Sequence, residues 1–426
     1  MRQEKNNIFA GIDWILVFFY LILVGFGWLN ILAASQNDEY IDIFDFNTKY
    51  GKQLLWILLC YPIMIFVLFF NSKFYERFAS IFYLIAIFSL VLIFPLGKEI
   101  NGAKAWFSFG SMSLQPAEFV KAFTALAIAK LVSDRQYNLS LIKNQIKAFT
   151  VIFLPAILIV LQPDPGSALI YLAFFLVLNR EGLTLNYIIF GAASITLFIS
   201  TIFWGTHTIF ICLFSLITVI VLYLIYKGGK RLLRFSWHKI LISYFGIGMF
   251  IYGTGFVYEN VFKQHHRDRF EVLLGLKVDT KDIGYNSYQS ELTISSGGLT
   301  GKGFLNGDIT KGNFVPEQHT DYIFSTVGEE WGFLGSSLVI ILFMLMIARI
   351  IYLSETHTNK FGRIYGYGVA SILFFHVTVN IGMVIGLLPT VGIPLPFFSY
   401  GGSGLWAFTI LVFIFLKLDS NRLNVW

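Results

Sequence analysis

Twelve stretches of mostly apolar residues divide the chain, at 14–34, 53–71, 78–96, 117–133, 147–162, 166–179, 188–204, 208–226, 239–258, 333–353, 364–388 and 403–418. A helix needs about 20 apolar residues to cross a bilayer. Few folds other than a membrane bundle can use that many such runs. The runs are continuous rather than alternating in polarity, which excludes a transmembrane β-barrel. Charged residues make up only 13% of the chain, against about 25% in a soluble domain. The expected fold class is therefore an all-α polytopic integral membrane protein. The pair 147–162 and 166–179 is interrupted by QPDPG and reads either as two steep crossings or as a re-entrant hairpin. Both alternatives keep the total even, so both termini are expected on one side.

Lys and Arg indicate which side, because short cytoplasmic loops carry the excess. One set of segments holds 17 of them, including Arg77, Arg135, Arg180, Arg231 and Arg363, and the opposite short loops hold four, Lys49, Lys52, Lys98 and Lys104. The termini are expected in the cytoplasm, and the net charge of +6 expresses this bias. Nucleic-acid binding is excluded as its explanation. The basic loop KGGKRLLRFSWHK (Lys227–Lys239) reads as a topology anchor that touches anionic lipid. The first apolar run is long for a signal-peptide core, and ILAASQND has no clear small-x-small cleavage site, so the run reads as an uncleaved span. Cys60 and Cys212 both lie in apolar runs and read as small apolar residues.

On this topology one long segment, 259–332, faces outward and is the expected functional loop. It ends in VPEQHTDYIFSTVGEE, a row of acids directly ahead of a span. Glu329 and Glu330 read as charges near the N-terminus of the following helix. Other polar residues cluster on the same face. Trp106 suits a membrane interface. Glu118 and Lys121 stand three apart and share a helix face. They read either as a structural ion pair or as the wall of a substrate groove. Asp164, between two prolines, can cap the next helix across Gly166 and Ser167. Arg267 and Arg269 follow a span end and read first as interfacial anchors. The stretch SSGGLTGKG is not a phosphate-binding loop, because Ser296 and Gly303 break the required spacing. Its glycines read as tight turns near a ligand or the membrane, with Lys302 and Lys311 as point charges for phosphate. The histidines are too scattered to argue for a metal site.

Five motifs, GAKAWFSFGSMSLQPAEFVK, QPDPGSAL, QSELTISSGGLTGKGFLNG, FVPEQHTDYIFSTVGEEWGFLG and VGIPLPFFSYGGSG, occur in the order found in the SEDS family (shape, elongation, division and sporulation). The chain resembles the elongation branch of that family more than the division branch. The resemblance implies a peptidoglycan glycosyltransferase that polymerises lipid II into β-1,4 glycan on the outer face of the bacterial plasma membrane. It makes Asp321 the catalytic carboxylate. It implies a class B penicillin-binding protein as partner, alongside other elongation-complex proteins and membrane lipids. The chain departs from the family in having twelve spans rather than ten. The surplus is a hairpin at 188–226. Ser295 and Pro165 stand where relatives often have Gly and Leu.

Transfer from an α-linked diphosphate to a β-linkage is an inversion. It needs a base for the acceptor hydroxyl and positive charge for the leaving diphosphate. Asp321 is the expected base, and partial desolvation would strengthen it. The cation pool is Lys104, Arg267, Arg269, Lys302 and Lys311, with Lys121 deeper. A divalent cation such as Mg2+ is an alternative source of that charge, and no other cofactor is implied. The expected substrate-binding residues are Lys104, Trp106, Gln115, Glu118, Lys121, Asp164, Arg267, Arg269, Gln289, Lys302, Glu317 and His319. Two rival readings remain open at this point, a lipid II flippase and a scaffold for the cross-linking enzyme.

Overall fold

The computed structural model describes residues 11–36, 44–100, 102–110, 112–228, 230–261, 264–274, 276 and 284–422. Arg2 and Lys5 of the cation tally, and parts of the expected outer segments, lie outside them. The chain divides into two compact units, Met1–Thr184 with Asn286–Trp426, and Leu185–Tyr285.

The first unit holds α1 (Trp14–Ser35), α2 (Lys49–Phe69), α3 (Ser72–Leu96), α4 (Pro116–Ser133), α5 (Ile142–Val160) and α6 (Pro165–Arg180). Local signals start these helices where the apolar runs begin. Asp13 accepts from Leu16 N at 2.9 Å ahead of α1, Thr48 from Gly51 N at 3.2 Å ahead of α2, and Pro116 occupies the first turn of α4. Between α3 and α4 the chain forms a small antiparallel sheet, β1 (Lys98–Ile100), β2 (Ala103–Phe109) and β3 (Met112–Leu114), in that order. Sequence reading treats this stretch as a plain outer loop. The alternating run AKAWFSF makes it a strand.

The second unit contains α7 (Asn186–Trp204), α8 (Thr206–Gly228), α9 (Lys230–Phe256) and the short α10 (Gln264–Leu273). The expected hairpin at 188–226 thus forms two of its three long helices. Cys212 is exposed on α8, unlike the buried Cys60 of the first unit.

The first unit resumes with α11 (Tyr285–Ser296), the one-turn α12 (Asp308–Lys311), α13 (Ile323–Glu355), α14 (Lys360–Val384) and α15 (Gly402–Ser420). α14 and α15 are the most enclosed helices and form the centre. α4 packs on α3, α14 and α15, while α15 also packs on α2, and α13 on α1 and α14. Among the described residues ten helices are long and apolar enough to cross a membrane. The two remaining runs are α4, which carries Glu118, Lys121 and Lys130, and the shorter α6.

The ends of this bundle differ in charge. At one end Arg349 pairs with Asp13, Arg180 with Glu355 (2.9 Å) and Arg363 with Glu181 (3.2 Å), and Lys130 Nζ donates to Arg77 O (2.8 Å). The helix termini at the other end carry Gln115, Asp164 and Asp321.

Candidate active site

Asp321 lies just ahead of α13, in a turn closed by Thr320 N donating to Glu317 O at 3.0 Å. One bond from α14 and two from the α14–α15 connection hold that turn by its backbone. Asn380 Nδ2, near the end of α14, donates to Asp321 O (2.8 Å) and to Ile393 O (2.7 Å). Ser399 Oγ donates to Thr320 O (2.7 Å), and Tyr400 N to His319 O (2.9 Å). The same connection walls the Asp321 side chain. A Cβ added to Gly392 would stand 3.3 Å from Asp321 Oδ2, and Gly392 has φ +69. A side chain there would be strained and would crowd the carboxylate.

Asp164 stands at the start of α6, which packs on the same connection. It caps α6 by accepting from Ser167 N at 3.0 Å, as its position predicts, and accepts from Gln115 Nε2 at 2.8 Å. Gly166 sits so close to Val391 O that a Cβ would come within 2.2 Å. Deeper, the Lys121 ammonium touches Glu118 Oε2 (2.8 Å) and His376 Nε2 (2.9 Å), and both members of the ion pair are buried. His376 Nδ1 lies 3.3 Å from Pro394 O. With that nitrogen protonated, Nε2 is left to accept from Lys121. The 391–400 connection is therefore the common support of Asp321, Asp164 and the Glu118–Lys121 pair.

The acids have different partners. Asp164, Glu118 and Glu329 spend their oxygens on hydrogen bonds or ion pairs. No described residue bonds the carboxyl oxygens of Asp321, which is half-buried and keeps some exposure. Burial, reinforced by the negative charges of Glu317, Asp164 and Glu118, pushes its pKa up to about 7. His319 moves the other way, down to about 4, through burial and then the positive charge of Lys49. Its imidazole is neutral at pH 7, so its 3.9 Å approach to Glu317 Oε2 is not an ion pair.

Lys302 is placed elsewhere. Its ammonium bonds Glu329 Oε1 (2.8 Å) and Asp308 Oδ2 (3.1 Å), so its charge is spent inside the protein rather than on a ligand. Glu329 does not cap α13. It caps α12, accepting from Ile309 N (3.0 Å) and Thr310 N (2.8 Å). Of the neighbouring glycines, Gly297 and Gly301 press on protein backbone, while Gly298 is exposed and open. Lys302 N donates to Glu329 O and Phe333 N to Gly298 O, so SGGLTGKG docks backbone to backbone on the start of α13, at the kink where Gly332 has φ +65. A Cβ on Gly297 would stand 1.9 Å from Gly328 O. Gly297→Ala is expected to cost about 1–3 kcal/mol by overpacking, read as a lower melting temperature in detergent.

The remaining expected residues are dispersed. Lys104 donates to Phe94 O at 2.7 Å, and Trp106 is half-exposed on the same strand, β2. Gln289 lies on α11 and accepts through its backbone from Thr293. Arg267 and Arg269 belong to α10 in the second unit, where Arg267 donates to Glu259 O and Gln264 Oε1. The described residues contain no group of three or more His, Cys, Asp or Glu arranged to hold a metal ion. Sequence reading missed His376, Asn380, Ser399 and Lys49. The first two had a signal, as isolated polar groups in the apolar run 364–388.

The family model of FtsW, RodA and SpoVE, described as cell cycle proteins, matches residues 13–224 and 208–424. The peptidoglycan glycosyltransferase RodA of Treponema pallidum is 30% identical over 96% of this chain and 98% of its own. Escherichia coli K12 peptidoglycan glycosyltransferase MrdB is 30% identical over 82% of this chain and 79% of its own. Among solved structures, a chain from work on the structural coordination of polymerization and crosslinking by a peptidoglycan synthase complex superposes with TM-score 0.69 at 25% identity, over 97% of this chain and 99% of that one. The crystal structure of Thermus thermophilus rod shape determining protein RodA superposes with TM-score 0.61 at 24% identity, over 96% of this chain and 97% of that one.

Proposed function

Because the chain belongs to the FtsW–RodA–SpoVE family and is a multi-pass membrane peptidoglycan glycosyltransferase, we propose that Asp321 is the general base with which it polymerises lipid II into β-1,4 glycan for cell-wall elongation. Asp321 takes the proton of the acceptor hydroxyl. That oxygen bonds the anomeric carbon of the donor, the anomeric bond to the diphosphate breaks, and undecaprenyl pyrophosphate leaves. One observation carries the assignment: Asp321 is both unbonded and partly exposed, while Asp164, Glu118 and Glu329 have partners and Glu330, though unbonded, is buried. A base is most effective with a pKa near the working pH, and burial with its acidic neighbours brings Asp321 there.

The cation excess in the sequence supports a cytoplasmic location for both termini and for the Arg349 end of the bundle. Asp321, at the opposite end, then faces outward. A class B penicillin-binding protein and other elongation-complex proteins are the proposed partners. The likeness to a chain from a synthase complex that couples polymerization to crosslinking supports this reading. Mg2+ is the proposed auxiliary where lysines leave the diphosphate undercompensated.

The test is polymerisation of lipid II by purified protein in detergent, where there is no membrane to flip across. Glycan product is expected, and its absence with the partner present would overturn the proposal. The pH profile adds a sharper reading. The base must be ionised, so kcat/KM is expected to rise with pH through about 7 and level off above it. Glu317→Gln removes one nearby negative charge and should move that rise to lower pH. A rise that stays in place would refute Glu317 as a contributor.

A further inference from the structure

A diphosphate leaving group needs a cation, and three of the expected cations are already committed. Lys121 is buried against Glu118. Lys302 is bound by Glu329 and Asp308. Lys104 donates to a backbone carbonyl at the end of α3. Lys49, absent from the sequence-derived pool, is different. It is exposed in the first turn of α2, and its ammonium lies 3.4 Å from His319 Nδ1, two residues from Asp321. Among the described residues no carboxylate pairs with it.

Its place is set by more than one contact. Lys49, Gln53 and Trp56 fall on one face of α2 by helical spacing, and that face docks on the site. Gln53 Oε1 accepts from Gly401 N at 3.0 Å. The Trp56 ring lies 5.0 Å from Tyr400, whose ring lies 5.4 Å from His319. The imidazole is held neutral, so it orients the ammonium without cancelling its charge. The result is a point charge held at His319, two residues along the chain from the base, with no carboxylate paired to it among the described residues, on a face of the bundle where the sequence places few cations.

We infer that Lys49 binds the diphosphate of the lipid-linked sugar donor and stabilises it as it leaves. The inference rests on the assignment of Asp321 as base. Lys49→Met keeps most of the length of the side chain and removes the charge. In a lipid II polymerisation assay in neutral detergent, free of anionic phospholipid, it is expected to lower kcat/KM about ten-fold or more. Lys49→Arg should restore most of the loss. The same substitution in Asp321→Asn protein, which binds without turnover, should weaken binding of fluorescent lipid II. A fall smaller than ten-fold, a loss that Arg does not restore, or unchanged binding in the Asp321→Asn background overturns the inference. Wild-type protein that makes no polymer, or Asp321→Asn protein that still does, defeats the assignment of the base instead. The two failures are therefore distinguishable.

Discussion

Asp321→Asn is expected to lower the polymerisation rate by about 10³-fold, within the 10²–10⁴ range of a positioned general base, while leaving the protein folded. Asn keeps the shape of the side chain. The turn around it is held through backbone oxygens that the substitution does not touch, by Asn380, Ser399 and Tyr400. Stability should change in an informative direction. The folded pKa of about 7 lies above the unfolded value of about 3.9, so between these pH values the folded state binds the extra proton. Native stability due to this group is greatest below the unfolded value and falls as pH rises through the window. Asp321→Asn should therefore raise the melting temperature at pH 8 and leave it nearly unchanged at pH 4. A variant with little activity loss, or with a lowered melting temperature at pH 8, would refute the base assignment.

The second large effect is on folding. Glu118→Leu leaves the Lys121 ammonium buried with only His376 and the Phe408 ring, 5.3 Å from its centroid, as company. Removing one partner of a buried ion pair costs about 3–5 kcal/mol, whereas replacing both by apolar groups is often neutral. Glu118→Leu is thus expected to reduce the folded yield and melting temperature sharply. The double change Glu118→Leu with Lys121→Met should recover most of both. Equal stability of the single and double variants, measured in the same detergent, would show that the pair is not a mutual neutraliser.

The bundle was legible because bilayer length and apolar continuity constrain a helix directly, and all twelve runs are helical. Two kinds of feature were not. The sheet at 98–114 comes from a short alternating stretch between spans, where helical periodicity offers no guide. The docking of SGGLTGKG on the start of α13 depends on backbone bonds between segments about 30 residues apart, and glycine spacing does not state what it packs against. Asp321, Asp164 and the Glu118–Lys121 pair stood out because charge in apolar surroundings is costly. Lys49 did not, because an exposed lysine at a helix start costs nothing and calls for no explanation. Lys302 misled for a related reason, since its partner Glu329 is distant in sequence and had been assigned to a different helix end.

The i, i+3 spacing of Glu118 and Lys121 also bears on biosynthesis. α4 enters the bilayer while His376 and the 391–400 connection are still unsynthesised, a delay on the order of 10–50 s at about 5–20 residues per second. A lysine whose counter-charge came from α14 would spend that interval as a bare ion in lipid. Because the glutamate lies on the same helical turn, the charge of Lys121 is already matched when the nascent segment leaves the translocon.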